Sequence, residues 1–307
     1  MTIIKQTNGN ISTLSNENLG LLLGTIAVIA FSLTLPITRY LTYFLNTWEI
    51  GLGRTFLAAI GAVIILFIKP QPLPNKKQWG QLAITASGIA FGFPLLTALG
   101  MKTVPASHGG IVLGSLPLAT ALIGCLLSKE RPSIAFWSVA FIGFGIVCIF
   151  SIYSNGGLSD ISFYTGDFAL IGAVIMAGLG YAQGGILARS LGGWQVICWT
   201  LIVSLPLLIP ITIIAVNWND FAKMPLQPWL AFCFLALVNS LIGFFFWYKS
   251  LAIGGIARVS QIQLLQPFFT WLFAVVFLGE MFSMVTLFFT VLTMLIVMLS
   301  KKTPITK

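Results

Sequence analysis

Long apolar runs separated by short polar turns make up most of this chain. Stretches free of Asp, Glu, Lys and Arg cover 19–38, 78–101, 103–128, 132–159, 168–188, 190–219, 224–248, 259–279 and 281–300. A tenth, 50–68, is interrupted only by Arg54. A helix needs about 20 apolar residues to cross the hydrocarbon of a bilayer. A transmembrane β-barrel would show alternating polar and apolar positions in segments of about ten residues. The runs here are continuously apolar, so they predict helices, numbered 1 to 10 in chain order. The expected fold is an all-α integral membrane protein with ten transmembrane helices.

The pattern also repeats. VLGSLPLATALIGCLLSKER at 112–131 aligns, 150 residues on, with IQLLQPFFTWLFAVVFLGEM at 262–281. Pro117 matches Pro267, Thr120 matches Thr270, Leu122 matches Leu272 and Glu130 matches Glu280. At the same offset Arg39 closes helix 1 and Arg189 closes helix 6. Each half then holds five helices. Because five is odd, equivalent helices cross in opposite directions, an inverted-topology repeat of the kind that builds many secondary transporters. The predicted organisation is a cytoplasmic tail at 1–18, a first repeat at 19–153, an external linker at 154–162, a second repeat at 163–300 and a cytoplasmic tail at 301–307. Helix 1 is read as retained, because its run is too long for a signal-peptide core and no small-residue cleavage site follows it.

Composition agrees with lipid as the solvent: 58% of residues are hydrophobic and 7% charged, against about 25% charged in ordinary soluble domains. The net charge of +9 could suggest a nucleic-acid partner. Its placement excludes that need. With both termini inside, Lys5, Lys69, Lys76, Lys77, Lys129, Arg131, Arg189, Lys249, Arg258, Lys301, Lys302 and Lys307 fall on the inner side, against Arg39, Lys102 and Lys223 outside. That is the positive-inside bias. The expected partners are the bilayer and a small-molecule substrate, with no nucleic acid. The expected assembly is a monomer. Cys125, Cys148, Cys198 and Cys233 each sit in an apolar run without CxxC spacing, which predicts buried small hydrophobes and no metal or disulfide framework. No cofactor is expected.

The paired prolines and glutamates carry a family resemblance. Pro117 with Glu130, and Pro267 with Glu280 in PFFTWLFAVVFLGEM, lie in two five-helix halves and resemble the EamA branch of the drug/metabolite transporter superfamily. The first copy departs at SKE, 128–130, and helix 1 departs at AFSLTLP, 30–36. The resemblance implies a ten-helix carrier whose helices 1, 3, 4, 6, 8 and 9 line a central cavity. It further implies movement of amino acids, sugars, purines, vitamins or other metabolites, frequently outward across a bacterial inner membrane.

The residues offer candidates of their own. Polar side chains at mid-depth tend to face inward, because lipid does not satisfy them. Helix 9 has Gln263 and Gln266, three apart and so on one face, just before Pro267. Helix 8 has Asn239 and then the aromatic run 244–248, including Trp247. Helix 6 has Tyr181 and Gln183, helix 3 has Phe93 before Pro94, and helix 4 has Ser115 before Pro117. His108, the sole histidine, lies near the outer start of helix 4. These are the candidate substrate-binding residues, while Pro94, Pro117 and Pro267 are candidate kinks, since proline removes a helical hydrogen bond. Arg54, the one charge inside a run, has two readings: a functional charge within the membrane, or, since it lies about five residues from the outer boundary, a side chain that snorkels to the headgroups; its shallow depth favours the second. Glu130 and Glu280 fall at helix ends, where a carboxylate suits the positive end of the next helix.

No acid stands at mid-depth, so no carboxylate proton relay is written in the chain. One histidine and no deep acids also leave no HExxH, paired-Asp or Ser/His set for an intramembrane enzyme. The expectation is a secondary transporter for an amino acid or a related neutral or zwitterionic metabolite, with export favoured. Another metabolite class, such as a vitamin, purine, sugar or nucleotide-like solute, is the alternative, and a channel is a further one.

Overall fold

The computed structural model describes residues 16–104, 106–128, 130–154, 164–278 and 283–306. Seven segments are long and apolar enough to cross a membrane. They are Asn16–Leu41 (helix 1), Glu49–Ile68 (helix 2), Lys76–Thr103 (helix 3), Gly166–Leu191 (helix 6), Gly193–Ala215 (helix 7), Leu226–Gly254 (helix 8) and Met284–Lys302 (helix 10). Helix 4 at 106–128, helix 5 at Ile134–Ser154 and helix 9 at 256–278 are further helical segments, and a short helix, Trp218–Lys223, lies between helices 7 and 8. The protein is thus an all-α membrane fold. Its described β-structure is a two-residue antiparallel pairing of Arg131 and Pro132 with Thr306 and Ile305.

The solvent-facing logic is inverted relative to a soluble protein. Large apolar side chains point outward: Phe67 is 85% exposed, Ile134 86% and Ile214 85%. Small residues fill the contacts between helices, because lipid supplies no hydrophobic drive and close backbone approach replaces it. Helix 1 packs chiefly on helix 8 and helix 3 on helix 6. A Cβ on Gly20 would lie 2.8 Å from the Gly254 Cα, and one on Gly88 would run into the Met176 carbonyl oxygen. Helix 10 packs on helix 5 at the periphery. Cys198 is buried, the other cysteines are half-buried, and all four are free thiols.

Both described chain ends lie on one face, tied by a single side chain. Arg258, in the first turns of helix 9, donates to Glu17 Oε1 on helix 1 and, at 3.1 Å, to the Thr303 carbonyl after helix 10. At the opposite face Glu49 is fully buried. It accepts the Asn46 N–H at 2.7 Å and the Asn217 N–H at 3.1 Å, joining the turn between helices 1 and 2 to that between helices 7 and 8.

Several helices are interrupted near mid-length. Helix 1 stops at Phe31 and restarts at Thr34. Pro36 explains the break: it has no N–H for the Ser32 carbonyl four residues back. Helix 9 supplies the missing donor, with Thr270 Oγ1 2.6 Å from Ser32 O and Gln266 Nε2 3.1 Å from Phe31 O. Helix 4 breaks between Leu113 and Leu116, just before Pro117. Helix 9 tightens to 3₁₀ geometry at Gln261–Leu265, before Pro267, so the Gln266 N–H bonds to Gln263 O. Helix 3 widens to π geometry at Ser87–Gly92, letting the Phe93 N–H reach Gly88 O before Pro94. Helix 8 is π-helical at Phe234–Ile242 and helix 2 at Glu49–Gly53.

The 150-residue offset is visible in these breaks. The π segment of helix 3 corresponds to that of helix 8, and the break in helix 4 to the 3₁₀ segment of helix 9. Helices 6 and 7 run unbroken where helices 1 and 2 are interrupted.

Candidate functional site

The interruptions meet at one place. A narrow cavity is lined by Phe31 and Thr34 at the break of helix 1, and by Arg54 directly after the π turn of helix 2. Ile89, Phe93 and Pro94 line it from helix 3, and Leu113 and Leu116 from the break of helix 4. Tyr181 lines it from helix 6, Asn239, Ser240 and Phe244 from helix 8, and Gln266 from helix 9. Irregular backbone at membrane depth is tolerated where it is buried in protein or faces a wet cavity, and here the breaks do both. In this conformation the space is small.

Aromatic rings close the cavity toward the face that holds the chain ends. Phe31 and Phe244 centroids are 5.3 Å apart, and Tyr181 lies 5.8 Å from Phe244 and 5.4 Å from Trp247. Trp247, Tyr248 and Leu251 continue down helix 8 as fully buried side chains. Nearer that face Glu130 ties three helix ends together. Its carboxylate accepts Arg189 Nη2 at 2.6 Å and the N–H groups of Ile256 and Ala257 at 3.3 and 3.1 Å. The expectation that it serves the next helix, helix 5, is corrected: it caps helix 9, reached across the bundle. Glu280 lies outside the described residues.

The sequence candidates divide. Phe93, Pro94, Tyr181, Asn239 and Gln266 line the cavity. Gln263 does not; it is buried with both amide atoms unpartnered among the described residues, and it approaches the Tyr181 hydroxyl without a well-formed hydrogen bond. Gln183 is buried on helix 6 away from the lining. Ser115 turns back to bond the Val112 carbonyl at 2.7 Å, and Trp247 sits in the aromatic floor. Pro117 is buried behind the helix 4 break and Pro267 is half-buried behind the 3₁₀ turn. The side chain of His108 lies outside the described residues. Among the described residues no His, Cys, Asp and Glu cluster has the makings of a metal site.

Arg54 corrects a second expectation. It does not snorkel: it is 2% exposed and lines the cavity. Its guanidinium carbon lies 5.9 Å from the Phe93 ring centre. Thr34, which accepts Asn239 Nδ2 at 2.8 Å, and Ser240 escape notice in the sequence, being small hydroxyl residues of a kind common in membrane helices.

A helical membrane bundle whose broken helices surround a central cavity with a few polar side chains in its wall is the build of many multi-pass transporters. The particular family follows from comparison. The EamA-like transporter family matches residues 18–152 and again 164–301, and the chain belongs to it. The uncharacterized transporter YdeK of Bacillus subtilis (strain 168) is 40% identical over 257 residues, 84% of this chain and 88% of that one. A chloroplastic WAT1-related protein of Arabidopsis thaliana is 23% identical over 84% of this chain and 61% of its own length. One solved crystal structure shares the fold with a TM-score of 0.74 at 17% identity, covering 92% of this chain and 98% of that one. The protein is therefore a transporter and not an enzyme.

Proposed function

We propose that the cavity at the helix breaks is the substrate site of an alternating-access carrier. Its cargo is a small organic metabolite, an amino acid or related neutral or zwitterionic compound, and outward movement is the favoured direction. In this reading the chain crosses ten times and both termini lie in the cytoplasm of a bacterial cell, with the 154–162 linker, which lies outside the described residues, on the external side. The support for orientation is the excess of basic residues on the face that holds both chain ends. An impermeant thiol reagent that labels a cysteine introduced into 154–162 only after lysis would reverse it.

The observation that carries the reading is the convergence of interruptions in helices 1, 2, 3, 4, 8 and 9 on one cavity. Breaks in helices present backbone and amide groups to a solute near the middle of the bundle, as broken helices do in secondary transporters. Two halves matched at helices 3 and 8 and at helices 4 and 9 supply the paired elements that rocking requires.

Binding of solute to purified protein tests the site. Gln266 and Asn239 both line the cavity, and their counterparts 150 residues earlier, Leu116 and Ile89, are apolar. Gln266→Leu and Asn239→Leu are expected to remain monodisperse and to bind substrate about 2- to 12-fold more weakly, the equivalent of one hydrogen bond of roughly 0.5–1.5 kcal/mol. Unchanged affinity in both would place recognition elsewhere.

A further inference from the structure

Arg54 presents a problem of charge. It is among the largest fully buried side chains of the protein. Among the described residues it makes no ion pair and no hydrogen bond, and its Nε is buried without a partner. The described carboxylates are committed elsewhere: Glu17 to Arg258, Glu130 to Arg189, Glu49 to the N–H groups of Asn46 and Asn217 and Asp167 to the N–H of Tyr164. Asp220 lies beside Glu49, on the opposite face from the chain ends. What the guanidinium does have is the face of Phe93, a weak cation–π partner, and the cavity. A buried charge inside a membrane protein is costly and is normally paired. A chain that keeps one unpaired, at the wall of its central cavity, leaves room for an anion that comes and goes.

We propose that Arg54 is the carboxylate receptor of this cavity, and that the substrate is a small monocarboxylate such as an α-amino acid. This rests on the reading of the cavity as the substrate site and narrows its cargo. The planar guanidinium donates two parallel hydrogen bonds to the two oxygens of a carboxylate. One cation offsets one negative charge, so a phosphate dianion is poorly matched. Phe31, Phe244, Leu113 and Leu116 provide an apolar wall for the rest of the molecule. Asn239 Oδ1, buried and without a donor, is an acceptor suited to an α-ammonium group. Amines, sugars and purines without a carboxylate lack the group that Arg54 requires.

The test compares an acid with its amide. The full chain in detergent is heated with L-phenylalanine, benzoate, L-phenylalaninamide or inorganic phosphate at one ionic strength, and the shift in unfolding temperature is titrated. The acids are expected to raise the unfolding temperature of the wild type, with no comparable effect of the amide or phosphate. In Arg54→Gln the acids are expected to act at concentrations at least about tenfold higher, the loss of a charge-assisted contact. The comparison in the wild type needs no variant, so a poorly folded Arg54→Gln does not blunt it. An amide that stabilises the wild type as well as its acid does, no shift with either acid, or an Arg54→Gln protein that keeps the full acid response would each overturn the proposal. If the acid preference fails while Asn239→Leu and Gln266→Leu still weaken binding, the cavity remains the site and only the carboxylate is wrong.

Discussion

Glu130 shows how a single side chain can be read correctly in kind and wrongly in place. Its position at a helix end, beside Lys129 and Arg131, is visible in the sequence, and so is its suitability for a positive helix terminus. The terminus it serves is that of helix 9, 126 residues downstream, and its ion pair is with Arg189 on helix 6. Neither is accessible from local spacing. Arg54 is ranked too low as a site residue for a related reason. Counting residues from a boundary estimates depth, whereas burial depends on which way the helix is turned, and the turn is set by neighbours. The Glu130 geometry predicts a structural phenotype. Glu130→Gln removes the charge that Arg189 and two backbone N–H groups share, and is expected to destabilise the detergent-purified protein by about 1–3 kcal/mol. Thermal unfolding measures this. A variant that unfolds at the wild-type temperature but loses a proton-gradient dependence of transport would assign Glu130 to coupling instead.

At the scale of the helix, proline is an informative but incomplete signal. Pro94, Pro117 and Pro267 each mark an interruption, because each withholds a donor from a carbonyl four residues back. Pro206 and Pro210 lie inside helix 7, which stays helical throughout, so proline alone does not dictate a break. The π segments of helices 2 and 8 have no proline and give no sequence signal, although they place Arg54 and Asn239 at the cavity. The compensation between helices 1 and 9 is the most specific element-level result. Pro36 frees the Ser32 carbonyl and Thr270 satisfies it. Thr270→Val should then cost about 0.5–1.5 kcal/mol in the wild type. In a Pro36→Ala background the new N–H can take the carbonyl itself, and the same substitution should cost measurably less. A double-mutant cycle of unfolding free energies checks this; equal costs in both backgrounds would show that Thr270 and Pro36 are not coupled.

At the scale of the molecule, the membrane class, the helical rods and the repeat could all be read from the chain. Apolar runs follow from the thickness of the bilayer, and the 150-residue match of Pro117 and Glu130 with Pro267 and Glu280 survives wherever both halves must bend. The symmetry is broken where it does not have to hold: helix 1 carries Pro36 while its counterpart position in helix 6 is Ile186. The cavity therefore has polar groups distributed unequally between the halves, as the pairing of Gln266 with Leu116 at the 150-residue offset already shows in the chain. The account's central claim is that this cavity carries solute by alternating between the two sides of the membrane. Counterflow in proteoliposomes tests it most directly: vesicles are preloaded with a mixture of unlabelled amino acids and the entry of labelled ones is followed. The account predicts uptake that is accelerated by the internal mixture, because a loaded carrier reorients in both directions. Uptake that is indifferent to the internal mixture, as through an open pore, or no uptake above protein-free vesicles, would contradict it.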